Sequence, residues 1–153
     1  MALESNKNIF YREGYKATLA VEYRRLTSVR PKKDIITPFY EIYTNGLVVS
    51  KIGYAFDFAT GAFDTDTIKK AALVHDIICQ AIIDGLLDPD QKRACDNEFK
   101  IICKESGMCR FRVWYTYRAV DLGSCRGKPK PIKSAPSRKA ADKFKDLPIR
   151  NRN

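Results

Sequence analysis

Residues 71–80 read AALVHDIICQ, and the spacing in and around them decides the fold. Ile68, Ala71, Ala72, His75, Ile78, Cys79, Ile82 and Leu86 recur at intervals of three and four, the period of a helix with one apolar face, up to a break near Gly85. The run DTDT at 64–67 supplies N-cap oxygens at its start. His75, the single histidine in 153 residues, therefore falls on the inward stripe. Asp88 then caps a second helix, with Pro89 at its first position and Gln91 in capping-box register. Ala94, Cys95, Phe99, Ile102 and Cys103 form its apolar face. The short break between the two predicts an antiparallel pair. Gly107 closes the second helix, and residues 109–122, CRFRVWYTYRAVDL, read as a third with Phe111, Val113, Trp114, Tyr117 and Val120 turned to the core.

Ahead of the helices the period is that of strands. Residues 15–27, YKATLAVEYRRLT, are rich in β-branched and aromatic side chains and read as one strand. In residues 39–52, FYEIYTNGLVVSKI, Asn45 and Gly46 fit a tight type I′ turn between two more. The expected fold is α+β: a small antiparallel N-terminal sheet packed on a helical hairpin plus a third helix, with an extended basic C-terminal arm. Residues 1–125 make one domain and 126–153 the arm.

The arm is a matter of charge. Of the net +10, residues 126–153 hold +8, from Arg126, Lys128, Lys130, Lys133, Arg138, Lys139, Lys143, Lys145, Arg150 and Arg152 against Asp142 and Asp146. With four prolines and few apolar side chains the segment cannot bury enough surface to offset its chain entropy, so it reads as an arm that needs a partner. An acidic protein face, nucleic acid and anionic lipid all fit that charge, as does a purely solvated end. The chain has no apolar run near the roughly 20 residues of a membrane helix, and its first residues lack the charged-then-apolar order of a secretory signal. Five cysteines without a C-x-x-C pair suit free thiols and, with one histidine, argue against zinc. Phosphate-binding glycine loops are absent from the sequence, and metal phosphohydrolases built on a His-Asp motif need further histidines.

Successive helical residues differ by about 100°, so Asp76 cannot orient the His75 ring. Asp96 on the facing helix can, because it lies about 12 Å from the turn where His75 lies about 15 Å. An imidazole held by a carboxylate on one nitrogen offers the other as a general base near neutral pH. The same pair would also serve as a buried polar link that fixes helix packing. Asp76 suits a cation, or a lysine such as Lys69 or Lys70. Asp57 suits an Asx-type loop bond, or an acidic position beside the site.

His75 and Asp76, followed by Asp96 and Phe99 on the next helix, resemble phospholipase A2, most closely the disulfide-free kind in parvovirus coat proteins. The resemblance implies that His75 activates water, Asp96 orients the ring, and Asp76 holds calcium; Asp57, by its place before the His-Asp helix, is the best further acid beside the site. Calcium is the one cofactor so implied. A longer resemblance, from about Phe39 to Gly123, runs through GYAFDFAT, AALVHDIIC, ACDNEFKIIC and RFRVWYTYRAVDLG. It is similar to the bacteriophage family Domain of Unknown Function 1353, with Thr60 in place of a serine and Cys95 set between Ala94 and Asp96. That similarity implies a phage origin. The expected role is a virion-associated or assembly protein, in the host cytoplasm and then the virion, whose arm binds a neighbouring acidic subunit. The alternative is a His-Asp hydrolase acting on lipid esters.

Overall fold

The structure, a computed structural model, describes residues 9–12, 17–56, 66–123 and 150–152. The chain divides into two compact units, Met1–Asp57 with Lys133–Asn153, and Phe58–Ile132. Among the described residues every strand belongs to the first unit and every α-helix to the second. The class is α+β, as expected, but the boundaries differ from 1–125 and 126–153. Composition marks where charge changes, whereas backbone pairing decides which segments fold together. The last described segment, Arg150–Arg152, is a strand paired with the first, Ile9–Arg12, in the register Ile9↔Arg152, Phe10↔Asn151 and Tyr11↔Arg150.

The first unit holds two four-stranded antiparallel sheets rather than one. In chain order the strands are β1 (Ile9–Arg12), β2 (Ala17–Leu19), β3 (Tyr23–Leu26), β4 (Ile35–Ile36), β5 (Tyr40–Ile42), β6 (Leu47–Ser50), β7 (Ala55–Phe56) and β8 (Arg150–Arg152). One sheet runs β7-β2-β1-β8 and the other β3-β6-β5-β4. The stretch expected as a single strand thus serves both sheets, with bends at Ala20 and Val21 between β2 and β3. Leu19 exchanges backbone bonds with Tyr54 and Gly53, each 2.8 Å, while Tyr23 stands opposite Ser50. Both sets keep one antiparallel register, so the interruption is local, at the bends at Ala20 and Val21 and the opposing turn at Ile52 and Gly53.

The β5–β6 hairpin forms where expected, with a loop one residue longer than a type I′ turn. Gly46 N–H donates to Tyr43 O at 2.8 Å and Tyr43 N–H to Leu47 O at 2.9 Å, so Thr44 and Asn45 form the corner. Gly46 follows at φ 91°, and the Asn45 Oδ1 accepts from Leu47 N–H at 3.0 Å. A three-residue hairpin loop closed by a left-handed glycine matches strand twist as a primed turn does. A Cβ at Gly46 would be driven into Arg30 Nη1 and the Thr27 backbone oxygen. Gly46→Ala is therefore expected to cost about 1–3 kcal/mol in a denaturant titration, from the positive φ and this close approach together.

The second unit holds α1 (Asp66–Ile83), α2 (Lys92–Glu105) and α3 (Arg110–Gly123). The caps proposed at Asp64 and Thr65 lie outside the described residues. Gly85 ends α1 at φ 72°, with Leu86 N–H reaching back to Ala81 O at 2.9 Å, a left-handed close of the Schellman kind. Leu87 rather than Leu86 is then buried. Asp88 accepts from Asp90 N–H at 3.1 Å and caps a short 3-10 turn, Pro89–Gln91, that leads into α2. α1 packs on α2 as an antiparallel hairpin, and α2 on α3. The inward face of α3 is the expected one only in part. Val113 is buried as expected, and Thr116 is buried too, whereas Phe111 is 76% and Trp114 59% exposed. Gly107, at φ 87°, closes α2 before α3 begins. No helix among the described residues is long and apolar enough to cross a membrane.

Candidate functional site

Two helices build the site. α1 presents His75 and Cys79 one turn apart on its inner face, and α2 presents Lys92, Cys95, Asp96 and Phe99 across from them. His75 Nε2 lies 3.0 Å from Asp96 Oδ1, with His75 5% and Asp96 2% exposed. The Lys92 ammonium, one turn earlier on α2, donates to the other carboxylate oxygen, Oδ2. Phe99 meets the imidazole edge-on, ring centres 5.5 Å apart at 72°. The pairing across the hairpin is the one the sequence predicts. Lys92 was not anticipated, although its place four residues before Asp96 is the signal that marks it.

The electrostatics follow from this triad. Burial pushes the Asp96 carboxyl up, but hydrogen bonds from His75 and Lys92 outweigh it and hold the group below the ordinary aspartate value. An ionised Asp96 only accepts, so Nε2 carries the proton that faces it. In the neutral ring the lone pair then resides on Nδ1. That tautomer is assigned from the hydrogen bonds.

The sulfur chemistry departs from the expectation of free thiols. Cys79 is disulfide-bonded, whereas Cys95, Cys103 and Cys109 are free. Cys79 Sγ sits 3.7 Å from Nδ1 and 3.8 Å from Nε2 of His75. Being nearly equidistant, it favours neither nitrogen. Cys95 donates weakly to the His75 backbone oxygen at 3.7 Å. Burial, and next the Asp96 charge, push the Cys95 thiol well up; burial lifts Cys103 to about 12. Both remain thiols at neutral pH and are poor nucleophiles.

His75, Cys79 and Cys95 each offer one ligand atom, and those atoms lie within 4.8 Å of one another, so the group could hold a metal ion. A nitrogen and two sulfurs are soft donors that suit zinc, whereas calcium takes six to eight oxygens. Spacing along the chain does not reveal such a set; the His-x-x-x-Cys pair on one helix face was the available sign. Of the expected calcium ligands, Asp76 sits half-buried on α1 beside His75, and Asp57 lies outside the described residues. Of the arm, Arg126, Lys128, Lys130, Lys133, Arg138, Lys139, Lys143 and Lys145 lie outside them as well, while Arg150 and Arg152 belong to β8. Comparisons with protein-family models, with curated proteins and with solved structures find no match to this chain.

Proposed function

We propose that the helical unit is the hydrolytic centre of a lipid-ester hydrolase in which His75 is the general base and Asp96 its orienting carboxylate. The observation that carries this reading is the 3.0 Å bond from His75 Nε2 to a carboxylate already tied to Lys92. In the reaction Nδ1 takes a proton from water as its oxygen attacks the ester carbonyl. The imidazolium so formed faces the Asp96 anion, and returns the proton to the leaving alkoxide as the C–O bond breaks. Calcium, which the phospholipase resemblance implies, would supply polarisation of the carbonyl with Asp76 to hold it, and no step above depends on it.

With the ring 5% exposed, turnover requires a local movement that lets water reach Nδ1. A pair that merely locks α1 on α2 requires none. Fatty-acid release from phospholipid vesicles, measured with calcium and with a chelator, separates the two. Wild type is expected to exceed His75→Ala by at least about 100-fold in one of the buffers. Equal rates in both would leave the pair a packing device.

A second reading, a phage virion-associated or assembly protein present in the host cytoplasm and then in the particle, is favoured by the +8 carried by residues 126–153. Truncation is a poor test, because it also removes β8 from its pairing with β1. Lys128→Glu with Lys130→Glu and Lys133→Glu leaves β8 in place. It is expected to abolish salt-sensitive binding to an acidic capsid subunit, and unchanged incorporation into particles would refute the arm's role.

A further inference from the structure

Two states of Cys79 exclude each other. A sulfur committed to a disulfide has no thiolate to give a metal, yet this sulfur stands in a set of three metal-ligand atoms. Zinc bonds of about 2.3 Å to sulfur and about 2.0–2.1 Å to nitrogen place tetrahedral S and N ligands roughly 3.6 Å apart. Cys79 Sγ is already 3.7 Å from His75 Nδ1, and Cys95 Sγ belongs to the same 4.8 Å cluster. The remaining ring nitrogen points at Asp96. This is how carboxylates usually orient a metal-bound histidine, fixing its tautomer and strengthening its donor atom. Lys92 keeps that carboxylate paired from the other side.

We propose that Cys79 is a redox gate: the oxidised chain binds no metal here, and the reduced chain binds one soft divalent cation of the zinc type through His75 Nδ1, Cys79 Sγ and Cys95 Sγ. Opening the disulfide takes two electrons and two protons. A dithiol supplies both through a mixed disulfide and leaves as its own cyclic disulfide. Metal binding then releases two protons as Cys79 and Cys95 become thiolates. Three protein ligands leave one of zinc's four positions open. Occupancy also withdraws the Nδ1 lone pair from base catalysis, so the ion silences the centre; that consequence rests on the hydrolase reading, whereas the binding itself does not.

Cobalt(II) is the probe, since thiolate ligation gives it a charge-transfer band and a tetrahedral site gives it strong visible bands. Full-length protein reduced with a phosphine under anaerobic conditions is expected to take up one equivalent with both features, displaced by zinc. Oxidised protein should show neither. Cys95→Ser is expected to lose the sulfur band by about half and to weaken binding at least tenfold, while Cys103→Ser, a change at a second buried thiol, should alter nothing. Should Cys95→Ser fail to fold, native mass spectrometry of the unmodified chain replaces it: the reduced protein is expected to carry one zinc and the oxidised protein none. Equal cobalt binding by oxidised and reduced chains overturns the gate. No binding of cobalt or zinc by the reduced chain overturns the site, whatever the vesicle assay gives.

Discussion

Asp96→Ala is expected to lower the free energy of unfolding by about 3–5 kcal/mol, the usual cost of removing one partner from a buried ionic pair. The methyl group leaves the His75 Nε2–H without its acceptor in a region 5% exposed, and removes the carboxylate that Lys92 also binds. Asp96→Asn is expected to cost about 1.5–3 kcal/mol, because its single oxygen can accept from His75 or Lys92 while its amide nitrogen faces the other donor. The sign with pH follows. Asp96 is held below its ordinary value of 3.8, so its contribution is fully present above that value and is lost as pH falls through the lower folded value. Wild type should therefore lose stability in acid more steeply than Asp96→Asn, the two curves converging at low pH. Urea titrations at a series of pH values give both quantities, and parallel curves would mean that Asp96 is not ionised by its partners.

His75→Ala is expected to remove at least about 100-fold of the hydrolytic rate while costing only about 1–3 kcal/mol of stability, the penalty for the acceptor it orphans and the ring it deletes. The disproportion matters. A histidine that only joins two helices would show the stability loss and leave any rate unchanged once both proteins are compared well below their unfolding transitions. His75→Asn is the sharper variant, because its amide can still donate to Asp96 but offers no base of useful strength. Rates should fall as far as in the alanine variant with less loss of stability. A His75→Asn protein with wild-type turnover would remove the general-base role.

What could be read in advance divides along physical lines. Helical period and caps are local, so the α1–α2 hairpin was legible, and with it the meeting of His75 and Asp96. Lys92 was overlooked since a lysine near a helix start ordinarily reads as solvated surface; only the burial of Asp96 makes it a partner. On α3 Val113 was legible as core, whereas Phe111 and Trp114 look like core by bulk and are exposed, and the buried Thr116 does not stand out. The division of residues 15–27 between two sheets lies at the bends at Ala20 and Val21 and the opposing turn at Ile52 and Gly53, about thirty positions away, which no local pattern reveals. The return of Arg150–Arg152 to β1 is more remote still, and composition pointed the other way by marking the segment as an arm. The sulfur cluster required knowing which faces of two helices meet before His75, Cys79 and Cys95 could be seen as neighbours.

Because the chain holds one histidine, its ring can be observed without assignment ambiguity. Long-range proton–nitrogen correlation spectra of nitrogen-15-labelled protein at neutral pH distinguish the two neutral tautomers. A protonated Nε2 and a bare Nδ1, with that preference weakened in Asp96→Asn, is the result expected if the carboxylate sets the reactive nitrogen. A ring protonated at Nδ1, or averaged signals from an imidazole turning freely in water, would contradict it.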